Sequence, residues 1–89
     1  MTSMKIRILS PVHERNNYRT GKTIKTYVVT AINERSEIVT CFLPETKKQI
    51  FLNGYTYIVR GIRSWLRGEQ LSIQLNEDTK VTSSQNNLI

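Results

Sequence analysis

The chain has 89 residues, with 13 Lys or Arg against 7 Asp or Glu, a net charge of +6 and a pI of about 9.8. That length supports one small domain with a core just large enough to fold alone, and the charge points toward nucleic acid or another anionic surface. The lone cysteine, Cys41, excludes an internal disulfide, and no apolar run approaches the roughly 18 residues of a membrane span.

Taken in order, the chain reads as strands. Met1–Ser3 is expected to be a loose start. Met4, Ile6 and Ile8 alternate with Lys5 and Arg7, which is the pattern of a half-buried first strand. It ends near Ser10-Pro11, because proline cannot donate to a ladder. The opening MTSMKIRILSPV is too short and too alternating for a signal peptide. An intracellular protein is therefore expected, in the nucleus if eukaryotic and otherwise in the cytoplasm. His13–Gly21, HERNNYRTG, is polar and rich in turn formers, so a loop or a distorted strand end is expected.

Lys22–Asn33, KTIKTYVVTAIN, is dense in β-branched residues and forms the second strand. Asn33–Ser36 is a turn. Glu37–Leu43 is the third strand, stopped by Pro44. Glu45–Leu52, ETKKQIFL, is expected to form a turn or two of helix, closed by Asn53-Gly54.

A long hairpin organises the remainder. Tyr55, Tyr57 and Val59 alternate with Thr56, Ile58 and Arg60; Leu71, Ile73 and Leu75 alternate with Ser72, Gln74 and Asn76. Arg67-Gly68 supplies the reversal, since glycine tolerates the positive φ of a tight turn. The tip, read as Ile62 to Gln70, carries Arg63, Trp65 and Arg67 against one acid, Glu69. Thr79–Thr82 extends the last strand. Ser83–Ile89 reads as a disordered tail, so the folded domain is expected over 1–82 and the tail over 83–89. Five strands with a short helix between the third and fourth give an all-β, five-stranded OB-fold, a Greek-key barrel. The strands alone would also fit an SH3-like barrel; the helical insert favours the OB order.

The basic residues fall in two blocks. Lys5, Arg7, Arg15, Arg19, Lys22 and Lys25 face only Glu14, and Lys47, Lys48, Arg60, Arg63 and Arg67 face no acid within their span. In an OB barrel the loop Val12–Lys22 and the tip Ile62–Gln70 flank one groove. A groove lined by Arg15, Arg19, Lys22, Arg63 and Arg67 would track a phosphate backbone, while Tyr18 and Trp65, one from each loop, would platform bases. Lys25, Phe42 and Arg60 complete the candidate nucleic-acid-binding set. The plain alternative is a solvated surface that serves solubility; aromatics and basic residues sharing both loops favour binding. A protein-interaction OB domain that takes an acidic peptide fits the same residues, because Trp and Arg also dominate interface hot spots. A protein partner or a second copy of the chain is compatible with it. For an outside apolar patch, Leu88-Ile89 is the only candidate.

Tyr27, Tyr55 and Tyr57 are expected on the inward face, and Phe51 is expected to plug the barrel bottom through the helix. Alternation puts Phe42 on the face opposite Cys41 and Leu43, unless a bulge reverses it. Trp65 is expected to be a surface residue whose loss leaves stability nearly unchanged. His13 has no Cys or Asp partner nearby, and the seven carboxylates are scattered over turns. No phosphate loop, metal-ligand spacing or Ser-His-Asp order is present in the sequence, so a non-enzymatic protein without cofactors is expected.

The stretch from the second strand onward resembles the DNA-binding OB domains of the replication protein A large subunit. The resemblance rests on Tyr27–Ile32, Asn33–Glu37, Val39–Phe42, Glu45–Leu52, Asn53-Gly54, Tyr55–Gly61 and the closing Glu77–Val81. It is a pattern of residue types over nearly the whole folded part, without a diagnostic motif. It implies binding of single-stranded nucleic acid in the groove between the loop after the first strand and the tip of the last hairpin. The expected function is single-stranded DNA binding with little sequence readout, with single-stranded RNA as the alternative. In that family an aromatic at the end of the third strand and another near the last hairpin stack on bases. Phe42 matches the first; the second falls near Gln70, which is not aromatic, and Trp65 stands in for it. The zinc-ligand cysteines of one such domain are absent here.

Overall fold

The computed structural model describes residues 2–84. Its strands are β1 (Thr2–Ile8), β2 (His13–Arg19), β3 (Lys22–Asn33), β4 (Ile38–Leu43), β5 (Thr56–Arg67), β6 (Gln70–Gln74) and β7 (Lys80–Ser84). Hydrogen bonding runs in the order β1-β3-β4-β6-β5 and returns from β5 to β1, which closes a five-stranded barrel. The β4–β6 pair is parallel and the other pairs are antiparallel. This closed Greek-key path is the OB-fold. Among the described residues two additions lie outside it: β2 pairs with β3, and β7 pairs with β5.

Strand alternation builds the core. Tyr27, Val29 and Ala31 of β3 face inward with Val39, Cys41 and Leu43 of β4, and Ile6, Ile8, Tyr57, Val59 and Ile73 join them from the other walls. Phe51 closes the bottom as expected, but from a loop. Its ring meets Tyr57 edge-on at 4.9 Å. The Tyr57 hydroxyl donates to the Ile50 carbonyl and accepts from the Leu52 N–H, which fixes the connection around the plug. The Asn33–Ser36 turn also holds: Asn33 Oδ1 accepts from the N–H groups of Arg35 and Glu37.

Several sequence expectations need correction. His13–Arg19 is a regular paired strand, neither a loop nor a distorted strand end. All seven of its residues are exposed, so neither face carries the apolar alternation that marks a strand. Its ladder is satisfied by β3 around Thr20 and Gly21, whose φ values of 45° and 75° suit a two-residue reversal. The helix over Glu45–Leu52 shrinks to a single 3-10 turn, Glu45–Lys47. Thr2 and Ser3 belong to β1 and pair with Ile62 and Arg60. Ser83 and Ser84 pair with Tyr57 and Thr56 in β7, so the ordered strands pass the expected boundary at 82; the rest of the expected tail, 85–89, lies outside the described residues. Tyr55 sits in a turn and is 61% exposed, not inward.

The long hairpin differs most. β5 continues to Arg67, and the reversal is only Gly68-Glu69. Gly61 hid this continuity in the sequence. It adopts φ 77° at a β-bulge, where Thr2 pairs with Ile62 but Ser3 pairs with Arg60. Val59 and Ile62 are therefore both buried although they stand three positions apart. Arg63, Trp65 and Arg67 lie on a paired strand and not in a loop.

Candidate nucleic-acid interface

Register decides which side chains share a face. Val28 pairs with Phe42, Phe42 with Gln74, Gln74 with Arg63, and Ser72 with Trp65. Paired residues point to the same side of a sheet, so Phe42, Gln74, Arg63, Trp65 and Arg67 share the barrel's outer face. The same ladder extends outward through β3 to β2. Arg15 pairs with Thr26 and Arg19 with Lys22, which are two and six residues from Val28 in steps that preserve the face. Arg15, Arg19, Lys22, Arg63 and Arg67 thus stand on one continuous outer surface. Among the described residues the ion pairs are Lys25–Glu14 at 3.3 Å and Lys48–Glu45 at 3.6 Å, so none of those five cations is neutralised by a carboxylate. A bond from Gln70 Nε2 to Thr40 Oγ1, 3.0 Å, ties β6 to β4 on this face.

At its centre the Phe42 and Trp65 rings stack, with centroids 5.9 Å apart and 15° between planes. The Arg63 guanidinium lies 5.8 Å from the Trp65 ring centroid, a cation–π contact. Both rings border a cleft of ≈ 480 Å³ together with Thr26, Pro44, Gln74 and Asn76. Phe42 therefore takes the side that alternation assigned it, with no bulge to reverse it.

Other candidates fall elsewhere. Tyr18 is 81% exposed, but it alternates with Arg19 and occupies the opposite face of the β2–β3 hairpin. The expected Tyr18–Trp65 platform across a groove is not formed; Trp65 takes Phe42 as its ring partner. Lys25 reaches the rim of the cleft but is ion-paired to Glu14. Arg60 lies beyond the bulge, paired with Ser3 and Lys80, outside the β3-β4-β6-β5 face. Glu77 also borders the cleft, its carboxylate accepting the Thr46 hydroxyl at 2.6 Å.

Among the described residues, two ionisable groups are shifted. Burial pushes the Cys41 thiol up to about 12, so it stays a protonated, inert core group. Lys48 is raised because it hydrogen-bonds the Tyr27 hydroxyl at 3.5 Å, with its ammonium 4.9 Å from the centre of that ring. That contact was not foreseen from the sequence, nor was the Phe42–Trp65 stack. A signal for the second was present: Arg63, Trp65 and Arg67 stand at alternate positions, the spacing of one face of a strand. The expectation that Leu88-Ile89 is the only outside apolar candidate is also corrected. Leu9, Leu52 and Tyr55 are exposed at one end of the barrel. Backbone bonds from Ile8 N–H to the Tyr55 carbonyl and from Gly54 N–H to the Ile8 carbonyl bring their segments together.

The sequence matches no protein-family model, and no curated protein matches it. Solved structures with the same architecture include an OB domain from Thermoplasma acidophilum, at 16% identity and a TM-score of 0.65, covering 96% of this chain and 76% of that one. A murine DNA-binding protein bound with double-stranded DNA matches at 10% identity and a TM-score of 0.68, over 98% of this chain and 44% of that one. A replication protein A heterotrimer bound to single-stranded DNA matches at 13% identity and a TM-score of 0.73, over 96% and 22%. The chain spans less than half the length of the last two. Topology and these likenesses together define an OB-fold domain. Its similarity to the replication protein A type, read from the residues, holds at the level of fold.

Proposed function

We propose that this chain is a single-stranded nucleic-acid-binding module and not an enzyme. It holds the phosphate backbone with Arg15, Arg19, Lys22, Arg63 and Arg67, and stacks bases on the Phe42–Trp65 pair with little sequence readout. The observation that carries this reading is the register, which gathers five unpaired cations and a stacked aromatic pair on one outer face. Flexible single strands suit that arrangement because every base offers a π-face and the backbone can follow the charges. DNA is preferred to RNA on the strength of the replication protein A neighbour, bound to single-stranded DNA; the murine neighbour bound with double-stranded DNA makes duplex the necessary control. The test is a salt titration of binding to labelled oligo-dT and oligo-U, with duplex alongside. Salt-sensitive binding to oligo-dT is expected, and binding that ignores salt would overturn the reading.

A second reading, a protein-interaction module within a nucleic-acid-associated complex, draws on the exposed Leu9, Leu52 and Tyr55 at the end of the barrel. It predicts that substitutions there alter partner capture and leave oligonucleotide affinity untouched.

A further inference from the structure

The long strand β5 presents a second cationic point that the face described above does not include. In an unbroken strand Arg60 and Arg63 would point to opposite sides. The Gly61 bulge inserts one residue, so both project outward while Val59 and Ile62 both enter the core. Arg60, Arg63, Trp65 and Arg67 then form one ridge along β5, about 20 Å from first to last at the usual rise per residue. The bulge is held in place: the buried Thr79 donates its hydroxyl to the Gly61 carbonyl at 3.0 Å.

At the end of this ridge Arg60 pairs directly with Lys80 of β7. Like charges directly opposite on neighbouring strands are destabilising. No carboxylate lies within ion-pairing distance of either among the described residues. Asp78 borders the same cleft without pairing to them, and its N–H is bound to Asn76 Oδ1. The cleft, ≈ 440 Å³, is also lined by Thr2 and Ser3, whose hydroxyls are phosphate donors.

We propose that Arg60 and Lys80 form a second phosphate site, onto which the bulge leads a bound single strand after it leaves the Phe42–Trp65 face. This rests on the single-strand reading above and extends it from one face to a path that turns over β5 to β7. A phosphate between the two cations supplies the direct ion pair that Asp78, at the border of the cleft, does not make with either.

The probe is labelled oligo-dT in a length series across the roughly 4–16 nucleotides that one OB domain occupies. Wild-type affinity should rise with length beyond the oligomer that fills the face. In the double variant Arg60→Ala, Lys80→Ala, the shortest binding oligomers should keep wild-type affinity, while the longest should lose about tenfold and show a salt slope shallower by about 1.4, two contacts at about 0.7 each. Both residues are exposed, and removing the facing charges should leave the melting temperature unchanged or higher, which excludes misfolding as the cause. Wild-type affinity and slope of the double variant for the longest oligomers would overturn the second site alone. Absence of any oligo-dT binding by the wild type would overturn both this and the single-strand reading.

Discussion

The Trp65 indole stacks on Phe42 and is only partly exposed, so it has a packing role beside the binding role proposed for it. The sequence suggested a loop residue whose loss the fold would not notice; the register places it on a paired strand instead, and its stack on Phe42 argues for a cost in stability. An aromatic pair contributes about 0.5–1.5 kcal/mol beyond burial, so Trp65→Ala should destabilise the domain by about 1 kcal/mol, a drop of about 4–8 °C in melting temperature for a chain of this size. Oligo-dT affinity should fall by about 1–3 kcal/mol, the usual loss of one base–aromatic stack. Trp65→Phe should restore much of the stability and part of the affinity. Calorimetry and fluorescence anisotropy on the two variants separate the effects: a stability loss with unchanged affinity would make Trp65 a packing residue alone. Cys41 gives a second prediction at this scale. Its folded thiol is raised from 9.0 to about 12 by burial, so between those values the unfolded chain releases a proton that the folded chain keeps. Stability from this group is complete below about pH 9 and declines above it, by about 1.4 kcal/mol per pH unit until the folded thiol also ionises. Denaturant unfolding of wild type and Cys41→Ala at several pH values should show that extra slope in the wild type only.

Among the elements, the β2–β3 hairpin is the clearest case of structure built for something other than the core. Every residue of β2 is exposed, and the core residues of β3 begin at Tyr27. Arg15→Ala with Arg19→Ala should therefore leave the melting temperature within a degree or two of wild type, as surface changes usually do. The same pair should make the salt slope of oligo-dT binding shallower by about 1.4, at about 0.7 for each lost contact on a single strand; an unchanged slope would remove the hairpin from the site. This element also shows where the sequence was readable. β3 and β4 were legible almost to the residue, because burial of one face imposes a period of two on Tyr27, Val29, Ala31 and on Val39, Cys41, Leu43. β2 was not legible, because a strand solvated on both faces has no period to show. The second half of β5 was lost for a different reason. The Gly61 bulge breaks the alternation in the middle of a continuous strand, and Arg63–Arg67 then read as a tip. The charges of the site were visible from composition, but their arrangement was not: only the ladder shows that Arg19 and Arg67 share a face and that Tyr18 does not.

At the scale of the whole molecule, the closed barrel leaves one outer wall, β3-β4-β6-β5, flanked by a protruding hairpin and carrying unpaired positive charge around two rings. On the function proposed above, such a wall would distinguish single strands from duplex by access to bases. In a duplex the π-faces are already stacked, so Phe42 and Trp65 gain nothing and only the cations act. On a single strand both contributions operate. With about four of Arg15, Arg19, Lys22, Arg63 and Arg67 on phosphates, log K for oligo-dT should fall with log salt at a slope near −3, from about −0.7 per contact. Raising salt weakens the electrostatic part for both ligands but leaves the stacking part of the single strand in place. Competition of unlabelled duplex against bound oligo-dT should therefore favour the single strand at low salt, and the preference should persist as salt rises toward 0.2 M, where phosphate-only binding is largely lost. Trp65→Ala should shrink that preference without changing the salt slope, because it removes a ring and no charge. Duplex competing as well as or better than oligo-dT at equal salt would show that the wall acts through its basicity alone, with the aromatic pair serving only the fold.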